Sequence, residues 1–155
     1  MIKERQDLSF VIETKREHRF FKALPGDWGD GYENVTILCS VEIQRRADDR
    51  IPAFLKLPVR HKGILCEPLL EKLVLDAYLK TGEIAQVLCG GEQGADARVC
   101  NFAWVLELMN QCVNCGVAFR FLRTGTFFRK GNRIYRIAEE EQEEQARRAG
   151  VDYTP

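Results

Sequence analysis

Four glutamates stand where short apolar runs end: Glu13 after LSFVI, Glu42 after VTILCSV, Glu67 after KGILC, and Glu92 after VLCGG. A carboxylate at the tip of a buried strand can bind a cation or carry a proton, and in α/β proteins such groups gather at the C-terminal ends of the strands. Side chains alternate between faces along a strand, so parity decides whether the four can meet. Val35, Ile37, Cys39 and Val41 share one face, and Thr36, Leu38, Ser40 and Glu42 the other. Ile64 and Cys66 oppose Gly63, Leu65 and Glu67. Val87 and Cys89 oppose Leu88, Gly90 and Glu92, and Phe10 and Ile12 oppose Val11 and Glu13. The bulky apolar set suits a surface covered by helices. Glu13, Glu42, Glu67 and Glu92 are therefore expected to share one mouth, with Arg120 on the same face of a fifth strand as counter-charge. The plainer alternative is that strand ends meet water and carry acids for that reason.

The cysteines follow the same parity. Cys39, Cys66 and Cys89 fall on the helix-facing side and read as small buried hydrophobes. Cys112-Val113-Asn114-Cys115 is the one C-x-x-C, at a helix end, with no second pair at zinc-finger spacing. No metal site and no cofactor is expected. His18 and His61 are far apart in sequence, and nothing resembles a nucleophile with its base.

A second cluster is basic. Arg123, Arg129, Lys130, Arg133 and Arg136 follow Arg120 with no intervening acid, and Phe121, Phe127, Phe128 and Tyr135 are interleaved. Cations mixed with aromatics can bind single-stranded nucleic acid. A solvated hairpin with one packed apolar face accounts for the pattern as well.

The elements that must position these residues alternate. Strands are expected at Leu8–Thr14, Val35–Val41, Lys62–Glu67, Ile84–Cys89 and Val117–Leu122. A short helix is expected over Lys15–Leu24 with Phe20, Phe21 and Leu24 toward a core. Glu42–Leu57 is polar and basic at first, with Pro52 limiting any long helix. A helix over Leu69–Leu79 follows Pro68. Another runs over Phe102–Cys115, capped by Asn101, with Phe102, Val105, Leu106, Met109, Cys112 and Val113 on its packed face. Phe127–Ile137 reads as a hairpin around Gly131-Asn132, and Glu139–Ala149 as a polar helix. Crossovers of this kind make a parallel sheet. The expected architecture is α/β: a partial (β/α) barrel or open parallel sheet of about five β-α units over residues 1–126, with a hairpin and helix over 127–155 packed on the same domain.

Bulk properties narrow the class. A chain of 155 residues, 45% hydrophobic and 30% charged, suits one domain with a real core. Zero net charge gives no global field toward nucleic acid or membrane. The first residues are charged and lack a signal peptide's apolar core, and no run approaches the ~18 apolar residues of a membrane span. With six cysteines and no export signal, reduced thiols in the cytoplasm of a bacterial host cell are expected.

The chain resembles the phage-associated Gp-thirty-seven/Gp-sixty-eight family of radical-SAM-like barrel proteins. The matching stretches include Asp27-Trp28-Gly29-Asp30-Gly31-Tyr32, Cys66-Glu67-Pro68-Leu69-Leu70, Gly90-Gly91-Glu92, Ala97-Arg98-Val99-Cys100, Thr124-Gly125 and Gln145-Ala146-Arg147-Arg148-Ala149-Gly150. Members of that family are longer and begin with a cysteine-cluster segment. This chain has no Cys-x-x-x-Cys-x-x-Cys, so three thiolates cannot be supplied locally to an iron–sulfur cluster. Ile43, Gln93 and Leu122-Arg123 stand where the family's polar strand-tip residues are expected. Three functions are compatible with this. The chain is a non-catalytic binding or inhibitory module on a truncated barrel, or the C-terminal part of an enzyme completed by another chain, or a nucleic-acid binder using the basic hairpin. Five units cannot close an eight-stranded barrel, so a homodimer or a protein partner is expected at an uncovered edge.

Overall fold

The computed structural model describes residues 2–155. Its main sheet has five parallel strands in sequence order: β1 (Phe10–Thr14), β2 (Val35–Ser40), β3 (His61–Cys66), β4 (Ile84–Gly90) and β6 (Ala118–Arg123). The sheet is open, and no barrel closes. Between β4 and β6 the two-residue β5 (Cys100–Asn101) starts a second, three-stranded sheet with β7 (Phe127–Lys130) and β8 (Arg133–Arg136). β5 was not expected. It pairs parallel with β7, so the hairpin is tied to the β4–β6 crossover as well as to the sequence beside it.

One core joins the sheet to its helices. Ile37, Cys39, Ile64, Cys66, Val87, Cys89, Phe119 and Phe121 pack with Ala47, Ile51 and Phe54 of α2 (Gln44–Leu55) and Val105, Leu108 and Cys112 of α4 (Phe102–Cys115). This is the face that parity assigns to the helices. Leu38 and Leu65, on the other face, are also buried but lie outside that core. Leu38 extends across Gly63, where a Cβ would come within 2.6 Å of its Cδ2.

Local chemistry explains where the helices fall. Asn101 caps α4 by accepting from the Ala103 N–H at 3.0 Å. The buried stripe of α4 is Val105, Leu108 and Cys112, while Val113 is 39% exposed rather than packed. α2 is a full 12-residue helix despite Pro52 within it. Pro52 is exposed, so the Asp48 carbonyl it leaves unpaired can meet water instead of costing a buried bond. After Thr14 the chain forms a 3-10 turn (Glu17–Arg19) and only four α-helical residues, α1 (Phe20–Ala23). The Phe21 side chain, expected to face the core, lies outside the described residues.

The expected helix over 69–79 shrinks to α3 (Asp76–Leu79). Leu69, Leu73 and Leu75 are all buried, and side chains take the place of helical hydrogen bonds. Gln111 of α4 donates to the Leu73 carbonyl at 2.8 Å and accepts from the Leu75 N–H at 2.6 Å. Gln44 of α2 donates to the Val74 carbonyl at 3.2 Å and accepts from the Val74 N–H at 2.7 Å. An irregular segment is stable where its backbone groups are satisfied from outside.

The two edges of the main sheet differ. α5 (Gln142–Arg148) packs against β6, and Phe119 and Tyr153 exchange two backbone hydrogen bonds at 2.8 and 2.9 Å. Asp152 also accepts from the Phe121 N–H at 2.8 Å. β1 is uncovered: Val11 is 61% and Ile12 38% exposed. Phe10 N–H bonds to the Asn34 carbonyl on the β2 side at 2.8 Å, so by alternation the Val11 and Glu13 N–H groups point away from the sheet.

Candidate functional site

The C-terminal ends of β1 to β4 and the turns that follow carry the four glutamates, and each of three already holds a cation. Glu42 follows β2. Its Oε1 is 2.6 Å from Lys15 Nζ, and its Oε2 is 3.2 Å from Arg50 Nη1. Arg50, on α2, also donates to the Ser40 carbonyl at 2.5 Å. Burial works to raise the Glu42 carboxyl, but Lys15 and Arg50 outweigh it and hold it below its ordinary value.

Glu67 follows β3 and precedes a cis Pro68. Its Oε1 lies 2.8 Å from Arg123 Nε. Both atoms are buried, yet the N–H is not aimed at the oxygen well enough to make a hydrogen bond. Arg123 instead donates through Nη1 to Gln93 at 2.7 Å. Burial pushes the Glu67 carboxyl up, Arg123 offsets part of this, and the Glu13 charge adds to the rise. Glu13 is thus close enough to act on Glu67, although it is itself exposed and has no ion-pair partner among the described residues.

Glu92 is bound most fully. It accepts from the Arg98 N–H and Nε at 2.8 Å each and from Arg98 Nη2 at 2.7 Å. These bonds bring its carboxyl down to about 2. They fold the 93–98 loop back on the strand tip. The same loop is zipped to the segment after β6: Gly91 N–H donates to the Arg123 carbonyl at 3.0 Å and Thr126 N–H to the Glu92 carbonyl at 2.9 Å. Gly91 is required for that approach, because a Cβ there would overlap the Thr124 carbonyl.

The expected counter-charge is corrected. Arg120 does face the glutamate side, in the row of Leu88, but it is exposed and holds no carboxylate among the described residues. A bulge between Cys89 and Gly90 sets Arg123, not Leu122, opposite Gly90. The extra residue turns Arg123 toward Glu67. Lys15, Arg50 and Arg98 also complete the site without having been expected in it. Arg50 lies two helical turns beyond Glu42, and Arg98 six residues beyond Glu92, spacings that carry no distinctive signal. The buried Glu17 was missed as well: its Oε2 has no hydrogen-bond partner, and its charge helps push the Cys39 thiol up to about 12, after burial itself.

The basic cluster is divided between the strand-tip site and the two faces of the hairpin. Arg123 belongs to the strand-tip site. On the hairpin, Phe128, Lys130, Arg133 and Tyr135 share one face, and Phe127, Arg129, Ile134 and Arg136 the other. The cysteines are all free, and Cys39, Cys66, Cys89, Cys100 and Cys112 are buried. Burial pushes Cys66 and Cys89 well up, and Cys100 and Cys112 to about 12, so none of these four offers a thiolate near neutral pH. Among the described residues no group of three or more His, Cys, Asp or Glu could hold a metal ion, and no helix is long and apolar enough to cross a membrane.

Fold and site define a class: an α/β protein on an open, sequentially ordered parallel sheet, three of whose four strand-tip glutamates are paired within the chain. The chain belongs to the family described as protein of unknown function (DUF5131), whose profile matches residues 1–153. No curated protein and no solved structure matches it.

Proposed function

We propose that the chain acts by binding rather than by catalysis of its own, as a module on part of a radical-SAM-like barrel in a phage or mobile-element setting. One observation carries this: Glu42, Glu67 and Glu92 each lie within 2.8 Å of a cation from the same chain. Carboxylates paired in this way shape the mouth, and Glu42 and Glu92, both held below their ordinary values, are left as poor proton carriers near neutral pH. The binding surface is the β1 edge, with two outward N–H groups and exposed Val11 and Ile12. Its partner is a strand, from a second copy or from another protein.

Val11→Pro tests the edge. It removes an outward donor and leaves the β1–β2 ladder intact. Light scattering should show the wild type above 17.8 kDa, and the variant at that mass with unchanged circular dichroism. A wild type at 17.8 kDa across all concentrations would remove self-pairing and leave only a foreign strand.

Glu67 favours a second reading, the C-terminal part of an enzyme completed by another chain. It is a largely buried carboxyl, pushed up by burial, in a small cleft with Pro68, Gly91 and Gln93. Raised carboxyls in clefts are the usual form of a general acid or base.

A further inference from the structure

We propose that the cleft between the β7–β8 hairpin and α5 binds a nucleotide, an aromatic base carrying phosphate. The cleft is about 400 Å³ in volume, the scale of one small aromatic ligand. Phe128 and Tyr135 are cross-strand partners on its hairpin side, and Phe102 of α4 lies 5.7 Å from Phe128 at 58°. Tyr135 is 43% exposed, so a ring is still open to stacking. Lys130 Nζ stands 5.4 Å over the Phe102 ring with no carboxylate partner among the described residues. Arg148 enters from α5. Glu144 accepts from its Nε at 2.9 Å, and its two terminal nitrogens have no hydrogen-bond partner among the described residues.

No Asp or Glu lines the cleft, while Thr124 and Gln145 add polar edges. This set selects a ligand by elimination. An apolar molecule would leave Lys130 and the terminal nitrogens of Arg148 without a partner, and an inorganic anion would leave the rings unused. A base stacked on Tyr135 with its phosphate toward Lys130 uses both. Arg133 lies beside Lys130 on the same hairpin face and extends the positive path beyond the cleft. The inference is independent of the β1 edge. The nucleotide comes either free or as one unit of a single strand, and the two sources share this chemistry.

The test titrates the full chain at physiological salt with two probes, AMP by calorimetry and a fluorescein-labelled oligothymidine by anisotropy. Tyr135→Ala should weaken whichever probe binds by ~10-fold, the scale of one lost stacking contact. Lys130→Gln should weaken it and flatten its salt dependence. The double variant Arg129→Ala/Arg136→Ala, on the opposite hairpin face, should change it less than about twofold. AMP binding with this pattern identifies a free nucleotide. Oligothymidine binding alone with this pattern identifies a strand. If neither probe binds, or if Arg129→Ala/Arg136→Ala costs as much as Tyr135→Ala, the cleft is not a nucleotide site.

Discussion

Gly90 leaves vacant the space that Glu67 occupies: a Cβ at Gly90 would lie 2.5 Å from Glu67 Oε1. Glu67 Cδ would be 3.1 Å away, and the nearest atom of another residue, Arg123 Cγ, 3.2 Å. The residue without a side chain on β4 thus sets where the Glu67–Arg123 pair sits.

Gly90→Ala should cost about 1–2 kcal/mol, since the end of a flexible side chain can give way. In a Glu67→Ala background most of that cost should vanish, with a coupling of about 1 kcal/mol by urea denaturation. Additive effects would place the cost in Arg123 or the backbone instead. Gly91→Ala meets the Thr124 backbone, which cannot give way, and should cost at least about 3 kcal/mol.

Stability should depend on pH through Glu67 in the unusual direction. Burial first, then neighbouring charge, holds its folded carboxyl above 4.5. Its contribution is therefore complete below 4.5 and is lost as pH rises through the folded value. Relative to wild type, Glu67→Gln should gain stability as pH climbs from 4.5 toward neutrality. Arg123→Ala should have the opposite effect at neutral pH. It strands a carboxylate that is only 24% exposed, at about 1–2 kcal/mol after allowing for solvent access. Equal pH profiles for wild type and Glu67→Gln would show that burial does not perturb this group.

Glu92 should behave in the opposite way. With its folded carboxyl at about 2 against 4.5 unfolded, its stabilisation is present above 4.5 and fades as pH falls toward 2. Glu92→Gln should cost about 1 kcal/mol at neutral pH, a modest figure for a partly open ion pair. Amide exchange in the 93–98 loop should quicken in the same variant. Unchanged exchange there would mean that the loop is held by its backbone bonds alone.

Gln111→Ala should destabilise by about 1–3 kcal/mol, because it leaves the Leu73 carbonyl and the Leu75 N–H without partners in a buried segment. Gln111→Glu should fall between alanine and wild type, since a carboxylate still accepts from Leu75 but donates nothing to Leu73. A glutamate variant as damaged as alanine would show that the Leu73 bond dominates.

Much of the sheet was legible in advance. Alternation from Val35 to Glu42, and from Lys62 to Glu67, is a two-residue period that requires no distant information, and Asn101 and Gly116 mark both ends of α4. Three features were not legible. Leu69–Leu79 has helical apolar spacing, but side-chain amides from Gln44 and Gln111, more than 20 residues away in sequence, claim its backbone. The bulge that turns Arg123 inward is set by β4 against β6 and has no mark within either strand. The cations that neutralise Glu42 and Glu92 come from a loop and a helix whose courses depend on the whole fold.

The Tyr153 bridge also limits how far the proposed β1 pairing could extend. Two copies joined β1 to β1 about a two-fold axis spend the open side of both main sheets, and the sealed β6 side gives a third copy nothing to add to. Growth through the proposed β1 pairing would be self-terminating. Uncapping β6 by removing Asp152 and Tyr153 would give each copy two open sides, the geometry of a polymer without end.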